Sequence, residues 1–261
     1  MTDATLRNPA ARRLISPVLA LRIGIVVAVL AIWEAVAASG LLFRDVVPSL
    51  PAIGLALGRL LVDPVYYANL GVTLAELAGA LAIGGGLGLV VGMVLGANRY
   101  LGRAFEEFLY YLGPTPKIIF FPIMILWFGV DSGSKVAMGA LSCFFPIAVS
   151  ALSGMRQIDP VLIRVGRSFR LTAWQMALKI YLPAMRHPIV NGLRLGLGVA
   201  IIGTLLAETK MSNQGIGFLI IQTYTTFNMP RMYALLITLF MLAIGLNAVI
   251  AWFSGNTARK A

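Results

Sequence analysis

The sequence predicts an all-α membrane protein: a bundle of six transmembrane helices with one long basic loop. Three observations predict it. Of the 261 residues, 59% are hydrophobic and only 12% are charged, about half the charged share of a soluble globular chain. Apolar runs long enough to cross ~30 Å of hydrocarbon, roughly 20 residues each, recur along the chain. The basic residues are spread unevenly over the segments between those runs. Mean hydropathy is +0.88, which excludes both an ordinary soluble domain and a disordered chain.

The first run, 20–38, follows Arg12 and Arg13 and ends at Ala35-Val36-Ala37-Ala38. That pattern also fits a cleavable signal peptide; Trp33 and Glu34, just before the small residues, argue for a retained span. The second run, 72–97, carries Gly84, Gly88, Gly92 and Gly96, a spacing that lines one helix face and lets a neighbouring backbone come close. The third, 118–130, is short. Gly113-Pro114-Thr115-Pro116 precedes it and Pro122 lies within it, so one straight helix is disfavoured; the amphipathic stretch 103–112 extends it across a kink. The fourth run is 135–155. The fifth, 190–207, repeats the small-residue spacing at Gly192, Gly196 and Ala200. The sixth is 232–253.

With six spans, all the Lys and Arg fall on one side except Arg44, Arg59, Lys135, Lys210 and Arg231; Lys117 belongs to the larger set. Cytoplasmic segments carry the Lys/Arg excess. The expected layout is therefore a cytoplasmic tail over 1–19, one transmembrane domain over 20–255 and a cytoplasmic tail over 256–261. The loop 156–188 lies on the cytoplasmic side. The same bias accounts for the net charge of +11 without nucleic acid as a partner. A single Cys143 and a single His187 leave no disulfide scaffold and no Cys- or His-based metal centre, and no cofactor is expected.

The loop carries the most information. Asp159-Pro160 reads as an N-cap followed by Pro at the first helical position, and Thr172-Ala173-Trp174-Gln175 as a capping box. Two short helices, 160–169 and 173–181, meet at Phe169-Arg170-Leu171, and Leu182-Pro183 closes the second. They are too short to span and too basic to lie in lipid, yet they display Phe169, Leu171, Trp174, Tyr181 and Leu182. Such a hairpin can lie on the anionic inner leaflet, or its aromatic and Arg side chains can anchor in a groove on a cytoplasmic partner. The residues leave both open.

This loop resembles the coupling loop, or EAA loop, of ABC-importer inner-membrane permeases, whose pattern is Glu-Ala-Ala-x-x-x-Gly with Leu-Pro downstream. Arg164-Val165-Gly166 occupies the Glu-Ala-Ala positions, Arg170 the Gly position, and Leu182-Pro183 matches the end. Pro48-Ser49-Leu50-Pro51, the stretch from Pro122 to Gly129 with Ser134-Lys135, Gly192 to Gly196, Ala207-Glu208 and Gly215-Ile216-Gly217 are similar to the nitrate/sulfonate/taurine branch. The likeness runs along most of the chain. Two departures stand out. Arg164 replaces the family Glu. Arg170 replaces the family Gly, where a side chain at positive φ costs on the order of 1 kcal/mol.

The resemblance implies a bundle of the type I ABC importer permease kind in the bacterial cytoplasmic (inner) membrane. It implies two copies of the permease, two cytoplasmic ATP-binding subunits and an extracytoplasmic substrate-binding protein, with membrane lipid around them. The cargo it implies is a small organic or inorganic anion such as a sulfonate, taurine or nitrate. This chain holds no Gly-x-x-x-x-Gly-Lys-Ser/Thr phosphate loop, so ATP hydrolysis belongs to a partner and the chain is not itself an enzyme. The coupling residues implied are Arg164, Gly166, Arg167, Phe169, Arg170, Leu171, Thr172, Trp174, Leu182 and Pro183. Among them Phe169, Leu171 and Trp174 are groove anchors, and the arginines are charge partners or head-group contacts.

Polar groups within spans are costly and often functional. Thr204, Glu208, Gly215 and Gly217 are the candidates for the pathway or an outer gate, with Glu34, Glu76 and Glu208 expected near water at the outer ends. Two rival functions remain distinct. A partner-independent channel or secondary carrier should show intramembrane charge pairs or a filter. A membrane-embedded enzyme needs a clustered acid, base or metal constellation, and the scattered carboxylates supply none.

Overall fold

The fold is described from a computed structural model over residues 17–40 and 46–258, and no strand occurs among them. Most of the two predicted tails, with Arg7, Arg12, Arg13, Arg259 and Lys260, lies outside the described residues, as does Arg44. Among the described residues, five helices are long and apolar enough to cross a membrane, or six when one bent pair counts as a single span.

Helix α1 (Pro17–Ser39) stands at the edge of the bundle. Its apolar side chains before Trp33 are exposed on every face, the surface that hydrocarbon covers. It is tied on near its C-terminal end. The Trp33 Nε1–H donates to the Pro48 carbonyl at 3.0 Å, and the Glu34 carboxylate accepts from the Leu50 N–H at 2.8 Å. The Trp33 ring meets Tyr233 edge-on at 5.3 Å.

Short helix α2 (Leu50–Leu60) leads to α3 (Pro64–Ala80), which runs through a π turn (Leu81–Gly85) into α4 (Gly86–Ala97). Together they make one span, Pro64–Ala97. It begins at Pro64, well before the predicted residue 72. Asp63 caps it, its Oδ1 accepting from the Val65 N–H at 2.9 Å with Pro64 in the first turn. Tyr66, Tyr67 and Asn69 dilute the hydropathy of that start and hide it from an apolar-run reading.

The third span is a bent pair. Amphipathic α5 (Arg99–Leu112) is followed by a 3-10 turn (Lys117–Phe120) and α6 (Phe121–Phe128), with 92° between the two arms. The predicted kink is a break, because Pro114 and Pro116 each deny the backbone a helical hydrogen bond. Next come α7 (Ser132–Arg156), α8 (Pro160–Ser168), α9 (Ala173–Met176), a π turn (Ala177–Tyr181), α10 (Leu182–Ala184), α11 (Arg186–Lys210), α12 (Ile216–Thr225) and α13 (Met229–Ala258).

Helix α7 is the centre of the bundle. The recurring glycines of α4 face it, and a Cβ at Gly88 would lie 2.6 Å from the Phe144 carbonyl oxygen. Those of α11 face it too: a Cβ at Gly192 would lie 2.8 Å from Ser150 Cβ. Leu77, Cys143, Ile147, Leu197, Ala200 and Ile201 fill the shared core. In lipid this close approach stabilises the bundle through dispersion, since hydrocarbon tails are as apolar as the side chains they leave.

The bundle has two distinct ends. One carries the hairpin α8–α10, with α5 held to the foot of α7 by an Arg156–Glu106 ion pair at 2.7 Å. The other carries α2, α12 and the starts of α3 and α13. There Arg231 pairs with Asp63 at 2.6 Å, and Leu60, Tyr66, Ile216, Leu219, Ala234 and Leu235 form a separate core. Lys117 belongs to neither end. Its Nζ sits 5.0 Å from the centre of the Phe145 ring, near the middle of α7, which corrects its assignment to a basic cytoplasmic segment.

Candidate functional site

Two constellations stand out, one at each end. In the hairpin, the Asp159 carboxylate accepts from the Val161 N–H at 2.7 Å and starts α8. The second helix starts with both halves of the capping box: Thr172 Oγ1 accepts from the Gln175 N–H at 3.3 Å and Gln175 Oε1 from the Thr172 N–H at 3.0 Å. Between them α8 ends in a Schellman turn. The Leu171 N–H bonds the Gly166 carbonyl at 3.1 Å, and the Arg170 N–H bonds the Arg167 carbonyl at 2.9 Å. Arg170 has φ 53°. The turn that the family builds on Gly is therefore kept, and the left-handed conformation is imposed on an arginine.

Gly166 is buried where the two helices cross. A Cβ there would run into Met176 Sδ and Ile180 Cδ1, so a side chain at this position has to displace the ends of both. The second helix widens into its π turn just before Pro183, whose ring would meet the Lys179 carbonyl in a regular α-helix. Met185, fully buried, roots the hairpin against Ala151, Met155 and Ile158 at the base of α7.

Outward the hairpin shows Phe169, 76% exposed, and Trp174, 71% exposed. Arg164, Arg167, Arg170, Thr172 and Pro183 are also exposed. Neither ion pair formed among the described residues involves these arginines. Leu171 and Leu182 are half-buried within the hairpin, so of the three expected anchors the two aromatics project, alongside exposed Val161, Leu162, Val165 and Leu178.

At the opposite end, Glu208 is fully buried, which corrects the expectation of a water-exposed carboxylate. The chain after α11 folds back over it. Its Oε1 accepts from Thr73 Oγ1 at 2.7 Å and its Oε2 from the Gly217 N–H at 2.5 Å. Thr73 Oγ1 in turn accepts from the Ile216 N–H at 2.8 Å, and Asn69 Oδ1 from the Gly215 N–H at 2.7 Å. The free N–H groups at the start of α12 thus end on α3 and α11, and the carboxylate sits where the helix dipole favours negative charge. Gly215 has φ 103°, and a Cβ on it would lie 2.6 Å from Glu208 Oε2. At Gly217 a Cβ would lie 2.6 Å from Glu208 Cβ. Both glycines exist to admit that carboxylate.

Glu76, one turn beyond Thr73, is also buried, against expectation, because α3 starts about two turns earlier than the apolar run. It borders a cavity of about 210 Å³ with Asp131, Ser132 and Gln214. Lys135 is fully buried and donates to the Val130 and Asp131 carbonyls, closing the turn before α7. Thr204, one turn before Glu208, is fully buried against Gly139 of α7; it sits in a helix contact, away from that cavity. Asn69 and Thr73 were not singled out by the sequence. The signal was present: Asn69, Thr73 and Glu76 form a polar stripe at helical spacing in an otherwise apolar helix.

Residues 84–261 match the family described as "Binding-protein-dependent transport system inner membrane component". Over 192 residues the chain is 31% identical to the putative aliphatic sulfonates transport permease protein SsuC of Bacillus subtilis, covering 74% of this chain and 70% of that protein. It is 28% identical over 192 residues to the taurine transport system permease protein TauC of Escherichia coli, covering 72% and 70%. It is 28% identical over 184 residues to the formylaminopyrimidine transport permease protein ThiX of Halalkalibacterium halodurans, covering 70% and 74%. The matched region takes in the hairpin, α7, α11 and the glycines around Glu208. The chain belongs to the inner-membrane permeases of binding-protein-dependent ABC importers.

Proposed function

We propose that this chain forms, with a second copy of itself, the membrane pathway for a small anion such as a sulfonate, taurine or nitrate. In this reading an external binding protein delivers the cargo, and two separate cytoplasmic ABC subunits hydrolyse ATP. The hairpin end and both ends of the chain face the cytoplasm. The sulfonate and taurine permeases among the relatives support the anion.

The observation that carries the coupling role is the hairpin itself: a capped, sterically fixed pair of helices, rooted in the bundle and projecting Phe169, Trp174 and unpaired arginines. Phe169 and Trp174 enter a groove on the ATPase, with Leu171 bracing the turn between them. Arg164, Arg167 and Arg170 meet its acidic rim. When the two ATPases close, their grooves carry the hairpins together. Met185 passes that displacement to the foot of α7, and α11 carries it across the membrane as a 25-residue rod about 37 Å long. Glu208 at the far end of that rod grips the start of α12, so movement at one face reaches the loop of Gly215 and Gly217 at the other.

The test is co-purification with the ABC-type ATPase that the wild-type chain retains. Leu171→Asp with Trp174→Asp is expected to abolish association while membrane insertion is unchanged. ATPase retained by the double variant rejects the groove assignment. Labelling of the hairpin by an impermeant reagent from outside intact cells rejects the orientation.

A further inference from the structure

The break in the third span opens a cavity of about 270 Å³, lined by Gly113–Ile118 together with Met138 and Ser142 of α7 and residues from Val199 to Leu206 of α11. Phe145, beneath Lys117, is near the middle of α7, and the lining of α7 and α11 runs from there toward the helix ends that carry Ser132 and Glu208, so the cavity lies between mid-depth and that face of the bundle. Pro114, Thr115 and Pro116 are non-helical and exposed there. The break's backbone groups are largely met within the chain: the Thr115 N–H bonds the Leu112 carbonyl, the Pro116 carbonyl accepts from the Ile119 N–H, and the Gly113 and Thr115 carbonyls accept from Lys117. Irregular backbone within a membrane is found where it is buried in protein or lines a water-filled cavity.

One charge looks into this space. Lys117 Nζ donates to the carbonyls of Gly113 and Thr115 and lies over the Phe145 ring. All three partners are neutral, and neither ion pair formed among the described residues includes it. Lysine within a membrane is costly; such residues pair with backbone carbonyls or an opposite charge and often mark a substrate pathway. Ser142 adds a hydroxyl to the cavity wall, while Met138, Val199 and Ile202 supply apolar surface for a short alkyl chain.

Resting on the importer reading above, we infer that Lys117 is a cargo-binding residue. It holds the anionic group of a sulfonate or similar small oxyanion as that cargo crosses the membrane, with the broken segment 113–116 as one wall of the pathway. The lysine offsets the cost of carrying a negative charge through a region of low dielectric.

The test uses the permease co-purified with its ATPase in nanodiscs, with Cys143→Ser as background and Thr115→Cys as reporter. The probes are two water-soluble methanethiosulfonates of similar size, one bearing a sulfonate and the other a trimethylammonium. Thr115→Cys reacts with both, and Lys117→Gln lowers the sulfonate-to-ammonium rate ratio by at least about tenfold. Lys117→Arg restores the ratio. Should Lys117→Gln not assemble, Lys117→Met gives the same comparison. No aqueous labelling of Thr115→Cys, or a ratio unchanged by neutralising Lys117, overturns the inference. ATPase retention, read on the same samples, keeps the two conclusions apart. A wild-type chain that holds no ATPase overturns the importer reading and this inference with it. An assembled complex with an unchanged ratio removes Lys117 alone.

Discussion

Thr73 and Glu208, 135 positions apart, share a 2.7 Å hydrogen bond in the fully buried space between α3 and α11. The bond is one link in a chain. Glu208 holds Thr73 and the Gly217 N–H, and Thr73 holds the Ile216 N–H. One carboxylate thereby fixes where the segment after α11 begins its next helix.

Glu208→Ala is expected to be strongly destabilising. It leaves the Thr73 hydroxyl and the Gly217 N–H buried without an acceptor, each at a cost of about 1–3 kcal/mol. Glu208→Gln keeps one acceptor but turns an NH₂ toward a donor, so its loss is intermediate. Thermal unfolding of the purified permease ranks the two, and a midpoint unmoved by Glu208→Ala would show that the clasp contributes nothing.

Gly215→Ala and Gly54→Ala should move stability in opposite directions. At Gly215 the added methyl meets the Glu208 carboxyl and forces φ 103° on a residue that avoids it, costing more than about 1 kcal/mol. Gly54 sits within α2 with open space around it, where alanine is worth roughly 0.5–1 kcal/mol. The pair separates the steric demand at Gly215 from any general effect of glycine replacement.

Arg170→Gly relieves the left-handed strain at the hairpin turn and is expected to stabilise it by about 1 kcal/mol. Slower hydrogen exchange of the Leu171 amide, which bonds the Gly166 carbonyl, reports this directly. Thr172→Ala removes the cap of the second helix and should act the other way, by about 1 kcal/mol. If both variants exchange like the wild type, the turn is not a fixed element.

Gly166→Leu forces a side chain into Met176 and Ile180. Overpacking of this kind costs about 1–3 kcal/mol, and here it levers α8 from the second helix. The expected outcome is loss of ATPase co-purification with normal membrane insertion. Normal association would mean that the angle between the two helices is irrelevant to docking.

Much of the bundle follows from the residue order, because a bilayer leaves the backbone few choices. An apolar run of sufficient length must be helical, since every N–H and C=O has to be satisfied within it. The hairpin is equally local. Asp159-Pro160, the Thr172–Gln175 box and the Phe169-Arg170-Leu171 turn each depend on neighbours within a few positions, so short-range rules reach them. The early start at Asp63-Pro64 was also written locally, and an apolar count passes over it because of Tyr66, Tyr67 and Asn69.

Depth and partnership are different in kind. A hydropathy reading places Glu208 at a water-facing helix end and Lys117 in a basic loop, and folding moves both inward. Glu208 is buried because α3, distant in sequence, supplies Thr73 and because the Gly215–Gly217 segment turns back over it. Lys117 lies over Phe145 of α7 because the 92° break lays the segment after α5 against α7 and α11. A charge's cost depends on what surrounds it in space, and that is set by long-range packing which no local window contains.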